Sequence, residues 1–273
     1  MKIHTVGEIL NDLENCIENK LPFSHIRFGD GGIKFIDSVL HNDTEQLTII
    51  LKKEGMPSHK IVEIFELWGY HARNANYIDS PEVYYNGTFW PRVKKKGKPI
   101  NSETELKLRE WDKLYHDAEF DNENYCNPES NYLMVLRNKK FKNIFDLMKA
   151  RKVCIITVFP EVKKLLIEYD VDIVKIVGHY ENQYLNSFEN VINTIKYQAN
   201  NYDFWLVAAG ELGRIYSGYI KECGGRTIDI GFIIEYWLKG YIHPRLKPFM
   251  ETNPENPLEL ILTEEGEKYL ENI

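Results

Sequence analysis

Phe204-Trp-Leu-Val-Ala-Ala-Gly-Glu-Leu-Gly213 is the stretch on which the fold turns. Its apolar run is unbroken until a glycine, which reads as a strand buried on both faces that hands over to a helix. Similar runs stand at Val153–Val158, Ile173–Val177 and Thr227–Ile230, with helical patterns at 160–169, 186–200 and 211–223. Apolar strands alternating with amphipathic helices predict an α/β fold. It is a Rossmann-like, mostly parallel sheet with helices on both faces.

Working outward, Thr5-Val-Gly-Glu8 is a capping box that opens a helix to about Lys20, ahead of Pro22. A strand at 23–28, a helix from about Gly32 to Leu40 and helices at 44–54 and 58–70 follow. Residues 71–131 read as a helical and irregular insertion rich in aromatics, a candidate acceptor-binding region. Within it a second capping box, Ser102 to Glu105, opens a helix to about Ala118, and 121–130 is polar loop. A short strand at 132–136 and a helix near 138–149 lead into the Rossmann-like half, 150–240. The tail, 241–273, carries four prolines and ends in a helix from about Thr263. The whole chain, 1–273, is read as a single domain, with 22–70 as its N-terminal motif region.

Composition narrows the function. The 273 residues are 43% hydrophobic and 27% charged, which fits an ordinary globular protein. No apolar run reaches the roughly 18 residues of a membrane span, and no secretory h-region opens the chain. Net charge is −7, which argues against general nucleic-acid binding despite the basic run Arg92 to Lys98. The four cysteines are scattered, with no C-x-x-C, and read as reduced cytoplasmic thiols. The histidines show no zinc spacing.

Ligands of an open parallel sheet bind beyond the carboxyl ends of its strands. There the sequence offers His179 and Asn182, then Gly210 and Glu211, then Asp229, Gly231 and Glu235. The Ala-Ala-Gly-Glu-Leu-Gly turn could hold a phosphate on free N–H groups, but it is neither G-x-G-x-x-G nor a P-loop. Asp229 would face the crevice, and Glu235 lies one helical turn beyond Gly231. Near the N-terminus, Ile26-Arg-Phe-Gly-Asp-Gly-Gly32 sets Arg27 and Asp30 at a strand-to-helix bend, with Gly29 and Gly31 permitting close approach.

Together, Ile26 to Gly31 and Gly225-Arg-Thr-Ile-Asp-Ile-Gly-Phe-Ile-Ile-Glu-Tyr-Trp237 resemble the signatures of the GT-D-type glycosyltransferases. The likeness covers about 20–245 and is dense at 24–36 and 172–240. It implies sugar transfer from a nucleotide-diphosphate sugar, UDP-linked, with a divalent metal, manganese or magnesium. The acceptor would be a glycan, a lipid-linked sugar or a modified base. In the family pattern an Asp-x-Glu pair holds the metal; here Asp30 matches and Gly32 stands where the glutamate would be. The resemblance makes Asp30 the metal ligand, with Asp30, Asp229 and Glu235 as catalytic candidates. Arg27, Gly29, Gly31, His179, Asn182, Gly210, Glu211 and Gly231 would contact the donor. Two other readings stay open: a catalytically silent nucleotide- or glycan-binding module, and another Rossmann-type transferase such as a methyltransferase. The shared premise is convergence of the N-terminal bend and the last strand on one crevice.

Overall fold

The computed structural model describes residues 2–79, 113, 116–118, 122–126, 134, 142–178, 180–231, 233–239, 250–252 and 260–262. The N-terminal half contributes β1 (Lys2–His4), α1 (Val6–Glu18), β2 (Phe23–Ile26), α2 (Gly29–Leu40), α3 (Thr44–Glu54), α4 (Ile61–Asn74), β3 (Tyr77–Asp79) and β4 (Asn124–Cys126). The C-terminal half contributes α5 (Ile144–Met148), β5 (Lys152–Thr157), α6 (Val162–Leu165), β6 (Asp170–Lys175), α7 (Glu189–Gln198), β7 (Phe204–Ala208), α8 (Gly213–Glu222), β8 (Arg226–Asp229) and α9 (Ile233–Lys239). A separate antiparallel pair, β9 (Met250–Thr252) and β10 (Leu260–Leu262), follows.

Eight strands form one sheet in the order β1-β4-β3-β2-β8-β7-β5-β6, and every neighbouring pair is parallel. The α/β reading therefore holds. The two halves of the chain meet at one seam, where Phe23, Ser24 and His25 pair with Arg226, Thr227 and Ile228.

Each face of the sheet carries its own apolar core. One face packs Leu10 and Leu13 of α1, Phe145 of α5, Val162 of α6 and Ile233, Ile234 and Trp237 of α9. The other packs Phe35 and Ile36 of α2, Ile50 of α3, Trp68 of α4, Ile195 of α7 and Ile215 and Tyr216 of α8. Both β2 and β7 hand over to helices on this second face, whereas β8, lying between them, hands over to α9 on the first. The carboxyl end of β8 is thus a switch point toward both neighbours, the place where such sheets open a crevice.

One close approach fixes how two helices meet. Gly218 of α8 lies against the buried His71 ring of α4, and a Cβ at position 218 would overlap that ring.

Some details match the sequence reading and others differ. The capping box at Thr5 is formed, with the Glu8 N–H donating to Thr5 Oγ1 at 3.2 Å. The strand expected over 23–28 stops at Ile26, and the glycine-rich bend is itself the first turn of α2, which begins at Gly29 rather than Gly32. Strands β1, β3 and β4 were not anticipated, and β4 lies inside the stretch read as polar loop. Each is three residues long, so pairing with neighbours, not local pattern, makes it a strand. Met134 is helical where a strand was expected over 132–136. The basic run at 92–98, most of the expected 102–118 helix and the helix from Thr263 fall outside the described residues. Among the described residues, no helix is long and apolar enough to cross a membrane.

Candidate functional site

Parallel pairing of β2 with β8 carries the N-terminal bend and the last strand to the same end of the sheet, side by side. Arg27, just past β2, extends its guanidinium across the seam, and Nη1 lies where a side chain at Gly231 would begin. Gly231 has φ +58°, a conformation that glycine adopts without strain, so both the backbone and the guanidinium lying against it exclude a side chain there. Arg27 also places Nε 4.0 Å from Asp79 Oδ2 at the end of β3.

A second guanidinium enters from α8. Arg214 is 6% exposed and lies against the Trp68 and Phe28 rings, with Cζ 4.5 and 5.6 Å from their centroids. It donates to the Phe28 carbonyl and, at 2.6 Å, to Glu211 Oε2. Its Nη2 would lie 2.9 Å from a Cβ at Gly32. The guanidinium therefore fills the space next to the position where the resemblance puts a glutamate.

Asp229 ends β8 and is 3% exposed. The Gly231 N–H donates to its Oδ1 at 2.9 Å, while Oδ2 stands near Gly213, the first residue of α8. Burial raises its pKa to about 6, against the pull of Arg214, Arg27 and the Gly231 N–H, which favour the charged form. Near neutral pH this acid is poised to accept or release a proton.

The sign of the pH effect follows directly. In the unfolded chain Asp229 has an ordinary carboxylate pKa, so protonation favours the folded state, and that stabilisation fades as pH rises from about 4 to above 6. A shift from 3.8 to about 6 corresponds to about 3 kcal/mol. Asp229→Asn is therefore expected to be more stable than the wild type at pH 7 by roughly that amount, and equal to it near pH 4. Denaturant titrations of both proteins across this range check it. Burial holds His25 and His71 neutral, with pKa values down to about 3 and about 4. Their opposing effect is common to both proteins and cancels in the difference.

The remaining candidates distribute as follows. Gly210 and Glu211 open the turn into α8, and Glu211 is held by Arg214. Glu235 lies on α9 with its carboxylate on Lys239. Asn182 sits over the α3 cap: a Cβ on Gly55 would overlap its backbone, and the adjacent Tyr180 N–H donates to the Lys53 carbonyl at 2.7 Å. The backbones of Gly29, Asp30 and Gly31 form the first turn of α2. The Asp30 side chain and all of His179 lie outside the described residues. Arg214 was not among the sequence candidates. A charged residue on the buried side of an apolar helix, one turn after Glu211, is the signal that could have found it.

A hard divalent cation needs several carboxylate or carbonyl oxygens around one point. The described side chains around this crevice do not fit that need. Gly32 brings none, Glu211 is committed to Arg214, Asp229 supplies one carboxylate whose Oδ1 already accepts from the Gly231 N–H, and two guanidiniums stand beside it. The two guanidiniums are the groups of this set whose N–H donors could meet an anion. Comparisons with protein-family models, with curated proteins and with solved structures find no match to this chain.

Proposed function

We propose that this protein transfers a sugar from a nucleotide-diphosphate sugar, UDP-linked, to a hydroxyl acceptor, and does so without a divalent metal. The observation that carries the reading is the pair Arg27 and Arg214, brought from opposite halves of the chain to flank Gly231 and Gly32 at the end of β8. Guanidiniums recognise phosphate oxygens through paired N–H donors and keep their charge at any working pH. Here they would take the diphosphate and stabilise the negative charge that builds on the nucleotide as the glycosidic bond breaks. Gly32 and Gly231, lacking side chains, let the two guanidiniums lie against the backbone at the carboxyl end of β8. Asp229, with its pKa near 6, would receive the acceptor hydroxyl proton. The aromatic-rich segment over 71–131 would take the acceptor, whether a glycan, a lipid-linked sugar or a modified base, in the cytoplasm.

The test measures UDP released from a panel of UDP-sugars with hydroxyl acceptors, in the presence and absence of EDTA. Release that survives EDTA and disappears in Asp229→Ala supports the reading. Release abolished by EDTA and restored by manganese overturns the metal-free mechanism. Tight UDP binding without turnover on any acceptor points instead to the silent binding module. Thermal stabilisation by S-adenosylmethionine and not by UDP replaces glycosyl transfer altogether.

A further inference from the structure

On the other side of Arg27 three adjacent strands each turn one metal-binding side chain toward a common point. His25 comes from β2, Asp79 from the end of β3 and Cys126 from the end of β4. All three are buried, at 0%, 2% and 0% exposure. His25 Nε2 lies 3.1 Å from Cys126 Sγ, Cys126 Sγ lies 3.7 Å from Asp79 Oδ1, and all three ligand atoms fall within 4.8 Å of one another. Zinc bonded to nitrogen, sulfur and oxygen at about 2.0–2.3 Å sets its tetrahedral ligands about 3.3–3.8 Å apart. The two separations to sulfur, 3.1 and 3.7 Å, thus stand close to that spacing, and the third is within 4.8 Å.

We propose that His25, Asp79 and Cys126 bind one zinc ion that ties β2, β3 and β4 together. The chemistry selects zinc: imidazole with thiolate suits it, whereas manganese and magnesium prefer oxygen throughout. Binding forms a sulfur–zinc bond as the Cys126 thiol proton leaves to solvent. The nitrogen and oxygen ligands donate lone pairs, and water or another donor completes the tetrahedron. Arg27 orients the carboxylate, since its Nε is on the side of Asp79 Oδ2 while Oδ1 faces the sulfur. The short strands give such a tie its purpose. β2 and β3 share two paired positions, as do β3 and β4, so ladder bonds alone hold this part of the sheet weakly. A purely apolar core would have no use for a thiol set between an imidazole and a carboxylate. Among the described residues His25 Nδ1 has no hydrogen-bond partner, which leaves the ring held through Nε2.

Cobalt(II) titration of the full chain, freed of metal by dialysis against a chelator, tests the site independently of any transferase activity. One equivalent of cobalt is expected to produce the thiolate-to-cobalt charge-transfer band and the strong visible bands of four-coordinate cobalt, both displaced by zinc. Cys126→Ser should lose the charge-transfer band, and Cys154→Ser, altering a buried thiol of β5, should keep it. Arg27→Gln should weaken cobalt binding by roughly 10- to 100-fold, as loss of an orienting partner does elsewhere. Zinc should also raise the melting temperature of the wild type and not of His25→Ala. If Cys126→Ser does not fold, the wild-type spectrum decides alone. A folded wild type with no thiolate band, or a band that persists in Cys126→Ser, overturns the proposal.

Discussion

Arg214→Met is expected to lose about 3–5 kcal/mol of stability at neutral pH and to abolish UDP binding. Methionine keeps the contact with Trp68 and Phe28, so the loss reports the charge rather than a cavity. Without the guanidinium, Glu211 loses a 2.6 Å partner and Asp229 loses a nearby cation, both in a water-poor setting. Removing one member of a buried ion pair leaves the other charge stranded, which costs more than the intact pair contributes. Two further measurements locate the cause. Adding Glu211→Gln to Arg214→Met should recover part of the lost stability, because the stranded carboxylate is gone. Lowering the pH toward 5 should narrow the gap from wild type as Asp229, whose pKa is raised to about 6 by burial, takes up a proton. A denaturation midpoint within experimental scatter of wild type, or unaltered UDP binding, would remove Arg214 from both roles.

Gly218→Val is expected to destabilise the protein by about 3 kcal/mol or more, at the upper end of overpacking penalties. The overlap is with the ring of a buried histidine packed between α4 and α8, not with the free end of a flexible chain. His71 contacts the Tyr70 and Tyr219 rings at centroid distances of 5.3 and 5.2 Å, so it has little room to turn away. The helices would have to separate, exposing Trp68 and Tyr216 to water. Combining Gly218→Val with His71→Ala should restore much of the loss by opening the space. Thermal melts of the single and double variants measure this, and equal melting temperatures for wild type and Gly218→Val would refute the tight contact.

The parts of the fold legible in sequence were those that local pattern alone determines. Strands β5 and β7 are unbroken apolar runs covered on both faces, and α1 announces itself through Thr5 and Glu8. Strands β1, β3 and β4 were illegible for the opposite reason. Residues such as His4, Asp79 and Asn124 read as loop until parallel neighbours supply hydrogen bonds. The site divides along the same line. Arg27, Asp229 and Gly231 were visible because glycine and charge at strand ends are unusual in local sequence. Arg214 looked like any helix residue, and only folding sets it over Gly32. Likewise His25, Asp79 and Cys126 share no spacing that a scan for metal ligands would notice, since the sheet, not the chain, brings them together.

The seam between β2 and β8 has a consequence for when the protein becomes competent. Its two strands, Phe23–Ile26 and Arg226–Asp229, lie far apart in sequence, so closing it requires a very long loop to form, at an entropic cost that local contacts must first offset. During synthesis, ribosomes must release the chain through β8 before Arg27 and Asp229 can meet across the seam. Products terminated ahead of Arg226 would leave β2 without this neighbour however well their earlier segments fold.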